Sequence, residues 1–333
     1  MKTKFRSRFT SNLKKIESRR IGTFVKWIIL SSKTGPNNTL KKFPYSLRVL
    51  FAEILPNKPF GEEIEQETDA ISVMIPCVEK DWSLLPFCLL GIETNILNRI
   101  HKISIVTNDS ELNLRRMSEN VEIIHEEQLL SSDLIQLLEN YVPPSRRGWV
   151  IKQILTFKFA YQSRDKYILV IDADTVLTKP RLFVYSGKQV LIPVVEYNDY
   201  DSATTSSTWG KNGQPFGVSF TCHHLILQTE LVREMFDEIG GFNQGVKKWL
   251  VSANSDPWSP ISDMHSYGTW LLNKHPNQAV FARWGNLRVS RTILEQYAGQ
   301  EVSEIFKQLV LRFTKYNSIS FHHYLAENYI GTE

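Results

Sequence analysis

Short, mainly apolar runs alternate with longer amphipathic stretches along most of the chain. The short runs are typical of buried strands, and the longer stretches carry apolar residues at helical spacing. The predicted strands are residues 71–75, 103–106, 121–124, 167–171, 189–193 and 220–227, and the predicted helices are residues 81–95, 127–141, 149–161 and 230–239. Strands that alternate with helices indicate parallel α/β units.

The run at residues 167–171 ends abruptly at two carboxylates, Asp172 and Asp174, with only Ala173 between them. Open α/β sheets bind ligands at the carboxyl ends of their strands, and side chains two positions apart on an extended chain point the same way. Two carboxylates this close need a counter-ion, or one must keep its proton. A divalent cation that also contacts phosphate oxygens satisfies this need, whereas a turn or a helix cap is the other role open to such a pair.

Composition changes this picture only at the amino end. The chain has 333 residues, of which 42% are hydrophobic and 22% charged, which suits one large domain with an extension. Residues 1–50 hold 13 Lys and Arg residues and one acidic residue, Glu17. We therefore predict a basic extension and linker over residues 1–69 and a globular α/β domain over residues 70–333.

The extension carries Phe5, Phe9, Leu13 and Ile16 at helical spacing among its basic residues. A basic amphipathic helix of this kind can lie on an anionic membrane surface, or it can pack on the domain. No recognised nucleic-acid module accompanies the charge, so we do not expect nucleic acid as a partner.

Cysteine usage and hydropathy bear on the compartment. The three cysteines, Cys77, Cys88 and Cys222, are odd in number and lack metal-type spacing, which argues against a disulfide framework. No apolar stretch approaches the roughly 20 residues that span a bilayer, and no signal-peptide pattern follows the basic start. We expect a cytoplasmic protein, with a peripheral position on the inner face of the membrane left open by the basic extension.

The segment from Tyr167 to Pro180, Tyr-Ile-Leu-Val-Ile-Asp-Ala-Asp-Thr-Val-Leu-Thr-Lys-Pro, resembles the Asp-x-Asp segment of GT-A-type nucleotide-sugar glycosyltransferases. Over roughly residues 70–325 the chain resembles a little-characterised bacterial GT-A-like group. Three further segments carry the resemblance: Arg147-Gly148-Trp149 with Gln153 and Lys158, Ser219 to His224, and Ser262 to Gly268. The resemblance implies a GT-A-like, Rossmann-like fold, with a mixed, mostly parallel sheet flanked by helices and a basic helical N-terminal extension.

The resemblance also implies roles for particular residues. The implied metal ligands are Asp172, Asp174 and one of His322 and His323, and the implied donor-binding residues are Pro76, Asp81, Asn108, Lys152, Gln153, Asp172 and Ala173. Cap and turn roles remain open for Asp81 and Asn108. The implied general base is Asp263, where the resembling group carries the longer Glu, and Ser262 before it is placed to cap a helix.

Acceptor binding is assigned to the region after the Asp-x-Asp segment. Residues 196–217 are polar and interspersed with aromatic residues, so we predict a long loop. Acceptor binding, with Trp209, is the favoured role of this loop, and a mobile surface loop is the alternative. The resemblance adds His223 and His224, of which at most one faces the site, since neighbouring strand residues point opposite ways.

The sequence thus predicts a metal-dependent, hexosyltransferase-like glycosyltransferase. It would move a sugar from a nucleotide-diphosphate sugar to a hydroxyl on a glycan or lipid-linked sugar, in cell-surface polysaccharide synthesis, with Mn²⁺ or Mg²⁺ as cofactor. Two alternatives remain open: a carbohydrate-binding protein with the same fold and no turnover, and a metal-dependent nucleotidyltransferase. The second normally needs further acidic ligands or a phosphate-cradling glycine-rich loop, and the sequence shows neither a Gly-x-Gly-x-x-Gly nor a Walker pattern.

Overall fold

A computed structural model describes residues 69–108, 120–194, 199–215, 219–253, 261–327 and 329–332. The predicted basic extension, with its helical stripe, lies outside the described residues up to residue 68. The strands are β1 Ile71–Pro76, β2 Ile100–Thr107, β3 Val121–His125, β4 Tyr167–Ile171, β5 Thr175–Leu177, β6 Val184–Tyr185, β7 Lys188–Leu191, β8 His224–Gln228, β9 Ala279–Phe281, β10 Asn286–Ser290, β11 Ser318–His322 and β12 Ile330–Thr332. The helices are α1 Leu85–Asn95, α2 Ser132–Tyr141, α3 Pro144–Gln162, α4 Asp199–Trp209, α5 Thr229–Asp237, α6 Phe242–Ala253, α7 Asp263–Lys274 and α8 Val302–Arg312.

The central sheet has five strands in the order β3-β2-β1-β4-β8. The first four run parallel, and β8 pairs antiparallel with β4. A four-stranded sheet of order β12-β10-β11-β5 and a three-stranded sheet of order β6-β7-β9 lie beside it. The predicted mixed, mostly parallel sheet flanked by helices is therefore confirmed.

Strand β4 lies at the centre of the fold because it is apolar along its whole length. All five of its residues are at most 1% exposed, and apolar clusters pack on both faces of the sheet. A strand that is buried on both faces consists of a continuous apolar run, which explains why β4 could be predicted from the sequence. The two carboxylates follow where this burial ends.

The loop predicted at residues 196–217 is wrong over residues 199–213, because the chain forms α4 and a 3-10 helix at Gly210–Gly213 there. Four of the hydroxyl side chains of α4, those of Ser202, Thr204, Thr205 and Thr208, are buried. Thr205 and Ser266 are both buried and join their hydroxyls at 3.1 Å, and Ser202 lies 3.3 Å from the ring of His265. Hydrogen bonding to α7 thus stabilises a helix that local propensity disfavours.

Two smaller predictions also need correction. Helix α1 begins at Leu85, and Asp81 lies in the preceding 3-10 helix, so Asp81 does not cap α1. The strand predicted at residues 220–227 begins only at His224. No helix in the described part of the chain combines the length and apolarity needed to cross a membrane.

Gly91 fixes how closely α1 approaches β5. A Cβ atom at this position would lie 2.8 Å from the backbone nitrogen of Leu177 and 3.1 Å from its carbonyl oxygen. We expect Gly91→Ala to lower the free energy of unfolding by about 1–3 kcal/mol, since backbone cannot yield as a side chain can. Urea denaturation measures this.

Gly148 provides the matched control, because it also lies in a helix, α3, and a Cβ atom there meets nothing within 4 Å. Gly148→Ala should stabilise the protein by about 0.5–1 kcal/mol through helix propensity. Equal effects of the two substitutions would contradict the close packing of α1 on β5.

Candidate active site

The acidic pair lies at the carboxyl end of β4, on the edge where β1 and β2 also end. The chain turns directly after Ile171: the Asp172 N–H donates to the His223 carbonyl, and the Thr175 N–H donates to the Asp172 carbonyl. The segment is therefore a turn and not the extended chain that the sequence pattern suggested. The turn still brings the carboxylates of Asp172 and Asp174 together.

His223 completes a cluster with the two carboxylates. One ligand atom from each of Asp172, Asp174 and His223 lies within 4.8 Å of the other two. His223 reaches the pair because His224 is registered with Ile171 in the antiparallel pairing of β8 with β4, which places the preceding residue beside Asp172. Its Nδ1 atom lies 3.5 Å from Asp172 Oδ2.

His322 lies on the other side of the pair, at the end of β11. Its Nδ1 atom is 3.7 Å from Asp174 Oδ2, and its ring centre is 5.4 Å from that of His223. The next residue, His323, is exposed and packs edge-on against Tyr324. The structure therefore brings His322, and not His323, to the acidic pair.

This donor set fits a divalent cation. Carboxylate oxygens suit Mg²⁺ and Mn²⁺, and imidazole beside carboxylate is compatible with Mn²⁺. Within the described residues, Asp172, Asp174 and His223 form the one group of three side chains with the spacing of a metal site.

Lys152 supplies a positive charge from α3. Its ammonium group forms an ion pair with Asp172 Oδ1. Burial alone would lower the pKa of Lys152, but the neighbouring carboxylates of Asp172 and Asp263 raise it above its ordinary value. Burial alone would likewise raise the pKa of Asp172, but Lys152 and His223 hold it well below its usual range.

The pKa of Asp174 shifts in the opposite direction to that of Asp172. Burial, together with the charge of Asp172, raises the pKa of Asp174 to about 6. Two adjacent carboxylates are stabilised either by a counter-ion or by a proton on one of them. Here Asp172 has the counter-ion, Lys152, and Asp174 is the carboxyl that binds a proton more strongly than usual.

Asp263 is the second notable carboxylate, at the start of α7. Ser262 caps this helix by accepting from the His265 N–H at 3.2 Å, so Asp263 is not needed as the cap. Its Oδ1 atom accepts from the Met264 N–H, its Oδ2 atom is buried, and a hydrogen bond from the Thr156 side chain lowers the pKa of the carboxyl. Asp263 is 1% exposed, and burial raises its pKa to about 6 against the opposing charge of Lys152.

The residues expected to bind the donor follow three neighbouring strands. Pro76 ends β1, exposed Asn108 follows β2, and Ala173 lies in the turn after β4. Asp81 pairs with Arg291 Nη2 at 2.6 Å, and its charge contributes to the raised pKa of Asp174.

Gln153 lies one residue after Lys152 and is buried. Its Oε1 atom accepts the Asp263 N–H at 2.8 Å, so it ties α3 to the start of α7. Through this bond, the helix that carries Lys152 also fixes the position of Asp263.

Two of the residues expected to bind the acceptor are in the core. Trp209 is buried, packs against Trp249, and donates its indole N–H to the Met235 carbonyl. His224 is buried with its ring 4.1 Å from that of Trp284, and burial lowers its pKa to about 3. His223 is the member of the histidine pair that the structure brings to the acidic pair.

Sequence reasoning missed two partnerships at this site. It did not place Lys152 on Asp172, or Arg291 on Asp81, because these pairs join residues 20 and 210 positions apart. No local pattern signals either contact.

Comparison with known proteins gives structural matches alone. No protein-family model matches the chain, and no curated protein matches it. The galactosyltransferase LgtC, solved in complex with donor and acceptor sugar analogs, is similar at 13% identity and a TM-score of 0.42, covering 75% of this chain and 86% of LgtC. An active-site mutant of LgtC is similar at 11% identity and a TM-score of 0.43, with the same coverage. Because these matches are distant, the argument about function rests on the site itself.

Proposed function

We propose that the chain is a glycosyltransferase that moves a sugar from a nucleotide-diphosphate sugar to a hydroxyl acceptor. The observation that carries this proposal is the Asp172–Asp174–His223 cluster at the carboxyl end of the central parallel strands. That edge is where open α/β sheets bind nucleotides. No third carboxylate joins the cluster within the described residues, and this favours sugar transfer over the nucleotidyltransferase alternative.

Asp172, Asp174 and His223 would hold the divalent cation, with His322 close enough to assist. When bound, Mn²⁺ or Mg²⁺ would supply Lewis-acid stabilisation of the negative charge on the leaving diphosphate. Lys152 adds a second positive group at the same place, since an ammonium suits phosphate oxygens.

Asp263 is the proposed general base. The acceptor oxygen attacks the anomeric carbon, the bond from that carbon to the diphosphate oxygen breaks, and the acceptor proton passes to Asp263 Oδ2. The transition state has oxocarbenium character, as in glycoside hydrolysis. A single displacement of this kind inverts the anomeric configuration. The buried position of Asp263 requires the bound acceptor to open a path to Oδ2, and catalytic contacts commonly tighten only in the substrate complex.

The acceptor is proposed to be a growing cell-surface glycan or a lipid-linked sugar. This assignment gives the basic residues at positions 1–50 a role, because they would hold the enzyme on the anionic inner face of the membrane. The enzyme would then act in polysaccharide synthesis from the cytoplasmic side.

Thermal-shift measurements with UDP-, GDP-, CMP- and dTDP-sugars, each with and without Mn²⁺, test the donor class. A ligand that binds only the folded state stabilises it by about 2.7 kcal/mol when the ligand concentration is a hundred times Kd, and the melting temperature rises accordingly. We expect a shift of several degrees with one nucleotide, dependent on Mn²⁺ and lost in Asp174→Ala. Shifts with glycans alone, and with no nucleotide sugar, would instead favour a carbohydrate-binding protein without turnover.

A further inference from the structure

Lys152 forms an ion pair with Asp172, the carboxylate that would also bind a divalent cation at this site. Its ammonium pairs with Asp172 Oδ1, and both side chains are largely shielded, with 25% of Lys152 and 20% of Asp172 exposed. Asp172 is also a member of the metal-type cluster. The Asp172 carboxylate is therefore a ligand for two different cations, the Lys152 ammonium and a divalent metal ion.

The charges around Lys152 make this competition significant. An ammonium and a divalent cation on one carboxylate repel each other strongly when water screens them little. The nearby carboxylates of Asp174 and Asp263 also attract Lys152, so the side chain does not lose all its partners when it leaves Asp172. A lysine side chain is long and flexible enough to make such a move.

We propose that Lys152 and the divalent cation compete for Asp172, and that cation binding releases the Lys152 ammonium to the diphosphate of the donor. Lys152 is then a positioning residue that holds the acidic pair in the absence of the cation and contributes to donor binding in its presence. This inference rests on the proposed function and adds an order of events: the cation binds first, and the donor site is completed by the lysine it displaces.

Calorimetric titration of the full chain with Mn²⁺ tests the competition directly. Lys152→Met keeps the length of the side chain and removes its charge. We expect Mn²⁺ to bind this variant roughly tenfold more tightly than the wild type, because the competing cation is gone. A residue that only supports the fold would weaken Mn²⁺ binding when replaced, and a residue that only contacts the donor would leave it unchanged.

Lys158→Met is the matched control. Lys158 lies on the same helix, six residues further on, with its ammonium 4.9 Å from the centre of the Phe242 ring. Its replacement should leave Mn²⁺ affinity unchanged. Thermal unfolding of each variant verifies the fold, and Lys152→Gln repeats the test if the methionine variant does not fold.

The release step has its own measurement, with inorganic pyrophosphate as probe in the presence of saturating Mn²⁺. We expect Lys152→Met to bind pyrophosphate roughly tenfold more weakly, so the substitution acts in opposite directions on the two ligands. Unchanged pyrophosphate affinity would overturn the release step.

The outcomes separate this inference from the proposed function. Equal or weaker Mn²⁺ binding by a folded Lys152→Met variant, with clear binding by the wild type, overturns the competition and leaves the metal site standing. Absence of Mn²⁺ binding in both proteins overturns the metal site itself, and the inference with it.

Discussion

Replacing Asp174 by asparagine is expected to lower the rate of sugar transfer at least about a thousandfold while the protein stays folded. Asparagine keeps the shape of the side chain and removes the charge that the cation needs. The cation is the group that stabilises the developing negative charge, and loss of even one preorganised neutral donor to such a charge commonly costs a factor of about 100–1,000, so loss of a divalent cation should cost more. Steady-state kinetics with the donor found by thermal shift measures the effect.

We expect this substitution to change the stability of the fold little, because the charged Asp174 side chain destabilises the folded protein when no cation is bound. Its pKa is raised to about 6 by burial and by Asp172, so at neutral pH the ionised carboxylate costs the folded state free energy relative to the unfolded state. We therefore expect Asp174→Asn to unfold at the same temperature as the wild type or slightly above it.

Asp165 offers a control at the opposite end of the same strand. Its side chain is 22% exposed, as is that of Asp174, and it bonds to Ser72 and His101 before β4 begins. Asp165→Asn should cost some stability and leave kcat unchanged. Comparable losses of activity in the two variants would contradict a special role for the acidic pair.

The second large effect is expected at Asp263. Asp263→Asn should lower kcat by a factor of about 100–10,000, the usual contribution of a general base. The pKa of Asp263 is raised to about 6, so in the wild type its charged, proton-accepting form disappears as the pH falls through about 6. Activity should therefore rise with pH through this region in the wild type, and this rising limb should be absent in the variant.

Ser262→Ala separates catalysis from helix capping. Ser262 caps α7 through the His265 N–H, and its loss should cost about 1 kcal/mol of stability. The pH profile should keep its rising limb in this variant, since Asp263 is intact. The profiles are recorded at saturating Mn²⁺, because Asp174 also has a pKa of about 6 and must stay charged to bind the cation. If Asp263→Asn retained the limb under these conditions, the base would have to be another group.

The sequence predicted most of what depends on local pattern. The strands β1, β2, β3 and β4 lie within a few residues of the predicted ranges, because each contains a short apolar run. This run is buried in β1 and β4, whereas β3 is only partly buried. The acidic pair was located for the same reason: it follows the point where the apolar run of β4 ends.

The parts that failed depend on contacts between distant segments. The sequence of helix α4 resembles a loop, since its Ser and Thr residues are poor helix formers. The hydrogen-bond partners of Ser202 and Thr205 lie on α7, some 60 residues later. The register of β8 on β4 places His223 beside Asp172, and this register has no local signature in the sequence. Trp209 lies buried at the end of helix α4, where a loop was predicted.

Release of free nucleotide is the most direct test of the central claim that Asp172 and Asp174 support sugar transfer. The wild type and an Asp172→Asn/Asp174→Asn double variant are incubated with each nucleotide sugar and Mn²⁺, and the freed nucleoside phosphate is quantified. The account predicts release from one class of donor, abolished by chelation of the metal and absent in a folded double variant. Release that persists undiminished in the double variant, or absence of release from every donor by a wild type that binds Mn²⁺, would contradict it.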